Sequence, residues 1–204
     1  MKKLLLKTLP ALALLAAAAP AQAVDWTLLG DALVTGGTLT LTTAYTADGD
    51  APLNVSGNPA VWIDTLELAA GLPFHALDLL DEAAYEGSLA SQSFAVHAGD
   101  TLRFNYSFST QETLFQDRAF MVLNGNLVTL ATRSSPAPGT PFTWTFGSSG
   151  TATLALGVVD TGDFNGVSRL TLSNLTLTPV PEPASWLLML AGAGLLARRQ
   201  LRVR

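Results

Sequence analysis

Leu102, Phe104, Tyr106 and Phe108 alternate with Arg103, Asn105 and Ser107. That period of two belongs to a strand with one face buried and the other wet; a helix would spread the same aromatics all round its axis. The habit recurs along the chain. Leu39 and Leu41 alternate with Thr38, Thr40 and Thr42, and Phe142, Trp144 and Phe146 alternate with Thr143 and Thr145. Leu170 and Leu172 change phase before Leu175 and Leu177, which predicts a bulge at Ser173 and Asn174. Turn signals punctuate these runs at Gly36-Gly37, at Ala98-Gly99-Asp100 and at Asn124-Gly125-Asn126, the last joining 119–123 to 127–130 as a hairpin. About ten short strands of this kind predict an all-β fold, an antiparallel β-sandwich of jelly-roll-like form.

One short helix interrupts the pattern. Asn58 can cap it, Pro59 can occupy its first position, and Gly71 followed by Pro73 stops it, with Trp62, Leu66 and Ala69 on one face. A weaker helical stretch runs over 77–84, and 47–57 and 132–141 read as loops.

Both ends of the chain differ from this body. Lys2, Lys3 and Lys7 precede an apolar run, and Ala21-Gln22-Ala23 follows it as a small-x-small cleavage site, so 1–23 is expected to be a signal peptide cut after Ala23. Val180-Pro181-Glu182-Pro183 breaks the final strand, because proline lacks an N–H and restricts the residue before it. An apolar stretch from Trp186 to Ala197 comes next, then Arg198, Arg199, Arg202 and Arg204. Such a segment is a hydrophobic helix with a cationic stop, its arginines on the cytoplasmic side. Ala184 to Ala197 is only 14 residues, short of the roughly 20 that span a bilayer, which predicts a marginal or transient insertion. The domains are therefore 1–23, 24–180 and 181–204.

Residues 24–180 hold 15 Asp and Glu against four Arg and no Lys, a net charge of −11. That balance excludes a basic nucleic-acid footprint. With no cysteine anywhere, the domain must be held by core burial alone.

The order of Pro181-Glu182-Pro183, apolar helix and arginine-rich end resembles the PEP-CTERM sorting signal. A tail of this form also closes some ice-binding proteins, where it is an address and carries no ice-binding information. The resemblance implies recognition by exosortase, a membrane cysteine protease-transpeptidase, with cutting near Pro181–Pro183. It also implies passage through the periplasm and inner membrane of a Gram-negative bacterium to the cell surface or the extracellular matrix, among exopolysaccharide and biofilm. Ala98-Gly99-Asp100-Thr101-Leu102-x-Phe104, Asp117-x-Ala119-Phe120 and Gly157-Val158-Val159-Asp160 are similar to a body found in many PEP-CTERM proteins.

Catalytic constellations are absent from the sequence. His75 and His97 belong to no zinc spacing, and Gly147-Ser148-Ser149-Gly150 is not a nucleophile elbow. Carboxylates are the better candidates for chemistry. Glu112 and Asp117 bracket one loop, and Asp160, Asp163 and Asn165 share another, an oxygen-rich set that calcium could occupy if the two loops met. Asp and Asn in glycine-rich turns more often form local Asx turns. Trp26, Trp62 and Trp144 sit at phases that fit the core. The expected function is non-enzymatic: an exported surface or matrix protein associated with exopolysaccharide. The alternative is a carbohydrate-binding, lectin-like module, calcium-dependent if the acidic loops hold an ion.

Overall fold

In a computed structural model, residues 25–47, 49–180 and 189–194 are described. The signal peptide with Ala21 and Ala23, the motif residues Pro181, Glu182 and Pro183, and Arg198 and Arg199 lie outside them. Of the expected hydrophobic tail, 189–194 is helical and exposed. Among the described residues no helix is long and apolar enough to cross a membrane.

Among the described residues eleven strands form two antiparallel sheets. They are β1 (Thr27–Leu29), β2 (Asp31–Thr35), β3 (Thr38–Thr42), β4 (Val61–Trp62), β5 (Ala84–Val96), β6 (Thr101–Thr110), β7 (Arg118–Leu123), β8 (Asn126–Thr132), β9 (Ala137–Thr145), β10 (Gly150–Thr161) and β11 (Ser168–Thr178). One sheet runs β1-β5-β10-β7-β8, with β4 also paired to β5, and the other runs β2-β3-β11-β6-β9. The β-sandwich expected from the alternation is the observed fold.

Leu102, Phe104, Tyr106 and Phe108 point into the space between the sheets, facing Met121, Leu154 and Leu156 of the opposite layer. A second, smaller core lies on the other side of the first sheet. There Leu89, Phe120, Val122 and Val159 pack against helix α1 (Ile63–Ala70) and Leu77. Strands β7 and β10 are consequently buried on both faces, which is why Arg118–Leu123 and Leu154–Thr161 are buried without a break. Continuous apolar runs are the sequence mark of such strands. Phe120 lies directly over Gly157, its cross-strand partner, and a Cβ at that glycine would stand 2.2 Å from the ring.

Local signals account for the joints. Asn124 and Gly125 both have positive φ and link β7 to β8 by a two-residue turn of the hairpin-favouring kind. The bulge falls between Ser173 and Thr176, with Asn174 at φ 56°, as the phase slip predicts. Gly71 closes α1 in the left-handed region, its N–H on Leu68 and that of Leu72 on Glu67.

Four expectations are corrected. Helix α1 starts at Ile63 and not at Asn58, because Val61 and Trp62 first pair with Gly87 and Glu86 of β5. Its buried face is Leu66, Glu67 and Ala70, with Trp62 and Ala69 exposed. The stretch 77–84 is not helical; buried Glu67 accepts the N–H groups of His75 and Leu77, Asp78 accepts that of Ala84, and those bonds replace helical ones. The serine- and proline-rich loop shrinks to 133–136, since β9 begins at Ala137 and as an edge strand tolerates Pro138 and Pro141.

Replacing Gly157 by alanine is expected to lower stability by about 1–3 kcal/mol through overpacking against Phe120. Urea unfolding measures it, and an unchanged midpoint would mean the ring can leave the glycine.

Candidate functional site

Along β10, Leu154, Leu156 and Val158 face the inter-sheet core, so Asp160 two residues on faces the same way. The same parity along β7 (Ala119, Met121 and Leu123 inward) places Asp117 inward just before the strand. Glu86 of β5 is in register with Asp160 and is also buried. One end of the core is thus lined with acids where the rest is apolar.

Deeper at this end lies Asp31, fully buried and well partnered. Its carboxylate accepts from the N–H groups of Val55 and Ser56 and from the hydroxyls of Ser56 and Thr42. Its own N–H goes to Ser88 Oγ, which donates to the carbonyl of Thr42. Asp117 is equally buried and has two partners, the N–H of Thr161 at 3.0 Å and the hydroxyl of Ser168 at 2.7 Å. Asp160 is 2% exposed and its Oδ1 has no hydrogen-bond partner.

Electrostatics follow from that difference. Burial is the main force pushing the Asp117 carboxyl up to about 6, against its bonds to Ser168 and Thr161, with Glu112 and Asp163 adding repulsion. Asp160 goes further, to about 10, through burial and then repulsion from Asp117, Glu86, Asp163 and Glu112. Arg118 does not relieve them. It projects to the opposite face of the sheet, where Asp78, Glu67 and Glu82 attract it.

The two loops that the sequence sets apart do meet. Gln111 N–H bonds the carbonyl of Val167, Gln116 N–H and the Thr161 hydroxyl share Glu82 Oε2, and Arg133 holds the carbonyls of Phe115 and Leu114. Two glycines permit the approach: a Cβ at Gly162 would strike the Phe115 ring at 2.1 Å, and one at Gly166 would stand 2.9 Å from the Glu112 backbone. Within this junction the expected calcium residues divide. Asp117 and Asp160 are interior. Glu112 Oε1 gathers the N–H groups of Thr113, Leu114 and Phe115, while Asp163 Oδ1 accepts from Asn165 N in an Asx turn. Asn165 is exposed. Among the described residues no three Asp, Glu, His or Cys side chains stand together as a ready metal cluster. Asp31 and Glu86 were not foreseen, because no local motif marks them and only the strand pairing buries them.

Above the junction sits an aromatic group. Trp62 meets Phe164 edge to face at 5.6 Å between ring centroids, and Tyr85 lies 4.7 Å from Phe164. Trp62 is 62% exposed and Trp144 45% exposed, so neither is the core residue its phase suggested; Trp26 does pack against the inter-sheet core. His75 and His97 are exposed turn residues beside Asp78 and Asp100.

At the opposite sequence boundary, Asp100 Oδ1 accepts the N–H of Val180 at 3.0 Å, and its other oxygen accepts that of His97. Burial works to raise the Asp100 carboxyl, but these bonds to its charged form prevail and leave it lowered. Val180 thereby stays fixed to the sandwich at the threshold of the tail.

Fold and boundary together define an acidic β-sandwich delivered with a separate sorting segment. Residues 179–204 match the PEP-CTERM protein-sorting motif, so the chain carries a PEP-CTERM sorting segment, the mark of an exported protein targeted to exosortase. No curated protein matches it. Solved structures similar in part include the secreted serine protease VesC from Vibrio cholerae (16% identity, 60% of this chain and 28% of that one, TM-score 0.34). A second is described as "CBM4 structure and function" (16% identity, 74% and 92% coverage, TM-score 0.33). A third is the GH31 α-xylosidase from Xanthomonas citri (12% identity, 74% and 21% coverage, TM-score 0.24). This chain spans little more than a quarter of VesC, and likenesses of this size carry no functional argument.

The raised carboxyls set a pH dependence. Unfolded, both aspartates lose their protons near 3.8; folded, Asp117 keeps its proton to about 6 and Asp160 to about 10. The folded state therefore binds more protons in this window, and stability falls as pH rises. In chelator-treated protein the urea midpoint is expected to be higher at about pH 5 than at about pH 8. Asp160→Asn should flatten that slope, and an equal slope in the variant would contradict the assignment.

Proposed function

We propose that this exported chain is a non-enzymatic cell-surface or extracellular-matrix protein that holds extracellular polysaccharide on the Trp62–Phe164 platform. The exposure of Trp62 carries the reading. An indole more than half open, buttressed by Phe164 and Tyr85 at the end of a rigid sheet, offers an apolar face of the size of a sugar ring. Asp163 beside Phe164 places an acceptor for sugar hydroxyls near it. With a net charge of −11 over 24–180, the domain favours neutral chains over polyanionic ones, which it repels.

Support for a non-catalytic role comes from the acids. Hydrolysis of a glycoside requires two carboxylates flanking the bond. Asp117 is enclosed in the core, and Glu112 Oε1 is committed to three backbone N–H groups.

Affinity electrophoresis in gels containing the producing cell's exopolysaccharide tests the platform. Trp62→Ala is expected to weaken retardation at least tenfold, about 1.4 kcal/mol, while Trp144→Ala, on the other sheet, leaves it unchanged. Equal retardation of wild type and Trp62→Ala would remove the platform from consideration. Sorting is tested separately. Deleting 181–204 should shift the protein from the envelope to the periplasm or medium in cell fractions, and retention in the envelope would mean a second anchor.

A further inference from the structure

We propose that Asp117 and Asp160 form the anionic centre of a divalent-cation site, with calcium as its occupant, at the junction of the 111–117 and 161–167 loops. Two observations carry this independently of the number of acids nearby. First, Asp160 is almost wholly buried and its Oδ1 has no partner, whereas Asp31, equally buried in the same end of the core, has every need met by N–H and hydroxyl donors. A buried oxygen left unsatisfied is costly and calls for a partner. Second, among the described residues no cation is placed to serve it. Residues 24–180 contain no lysine, and the four arginines are placed elsewhere. Arg118 projects to the far face of the sheet, Arg133 is bonded to the carbonyls of Phe115 and Leu114, Arg169 reaches the carbonyl of Leu53, and Arg103 alternates outward along β6.

The described residues therefore leave this oxygen uncompensated, and the donors specify the nature of an ion that would serve it. Asp117, Asp160 and the surrounding Glu86, Glu112 and Asp163 present oxygen only, with no cysteine in the chain and both histidines exposed in turns beside Asp78 and Asp100. Oxygen-only surroundings suit a hard ion and not zinc. Because no three side chains among the described residues converge ready-made, carbonyls, hydroxyls and water must complete the shell, which calcium accepts with six to eight flexible ligands; magnesium, held to a strict octahedron and reluctant to shed its water, fits carboxylates this buried less well. An ion here would draw together two strand ends whose loops already touch through Gly162 and Gly166, and would stiffen the segment that carries Phe164.

The site does not rest on the polysaccharide reading, and each can fail without the other. Thermal unfolding of the whole chain, purified in detergent, is compared in EDTA and in CaCl2. At calcium about 100-fold above its dissociation constant, wild type is expected to gain about 5–10 °C in Tm. Asp160→Asn is expected to lose that gain while being at least as stable as wild type in EDTA, since a neutral amide folds without the proton uptake that a buried Asp160 requires. A calcium gain retained in full by Asp160→Asn overturns the proposal. So does the absence of any gain in wild type, in which case a proton on Asp160 is the compensation. Should Asp160→Asn not fold, isothermal titration of wild type with CaCl2 decides: one ion per chain is expected, and no binding up to about 10 mM, tenfold above the weakest extracellular calcium modules, overturns it.

Discussion

Strand β10 is the constraint on which the rest of the sandwich depends. It is hydrogen-bonded on both edges, to β5 and β7, and from Leu154 to Thr161 it is buried on both faces, so each side chain of that stretch answers to a neighbour. Its inward residues meet the opposite sheet, and its outward ones meet α1 and the segment that Glu67 folds beneath it. Gly157 is the visible cost of that position, the one place in the strand where the Phe120 ring leaves no room for a side chain. Where β10 leaves the core it ends in Asp160, and the apolar interior gives way there to acids. The same strand thus builds the two cores and delivers the group whose burial remains uncompensated.

Much of this was legible in sequence, for a specific reason. One-sided strands such as β6 and β3 advertise themselves by alternation, and Asn124-Gly125, Asn174 and Gly71 mark turns that demand positive φ. Those signals are local, so they survive without tertiary information. Asn58 and Pro59 illustrate the opposite case. The capping grammar is present, but Asn58 instead serves the preceding loop, its carbonyl accepting from Asn54 and its N–H bonded to Ser56. Strand pairing at Val61 and Trp62 then delays the helix.

The candidate site shows a similar division. The two acidic loops were recognisable from their composition, and their meeting is what the fold adds. Which acids are interior could not be read from spacing, because Asp160 and Asp163 are three residues apart and differ only in which side of a strand end they occupy. Trp62 misled for a related reason: its phase suits a helix face, but it belongs to β4, a two-residue strand paired only to β5, and its side chain stays exposed there.

Val180, finally, governs reach. The last strand ends at Thr178, and Asp100 still holds Val180, so the sorting motif begins with no slack behind it. Each residue of extended chain spans at most about 3.6 Å, and between strand end and motif there are only Pro179 and Val180. A membrane enzyme working at that motif must therefore approach within roughly a nanometre of a folded body far larger than the peptide it cuts. The shape of the sandwich around Asp100 thus becomes part of what that enzyme meets, and swapping a different domain onto the same tail would change the fit even with every motif residue retained.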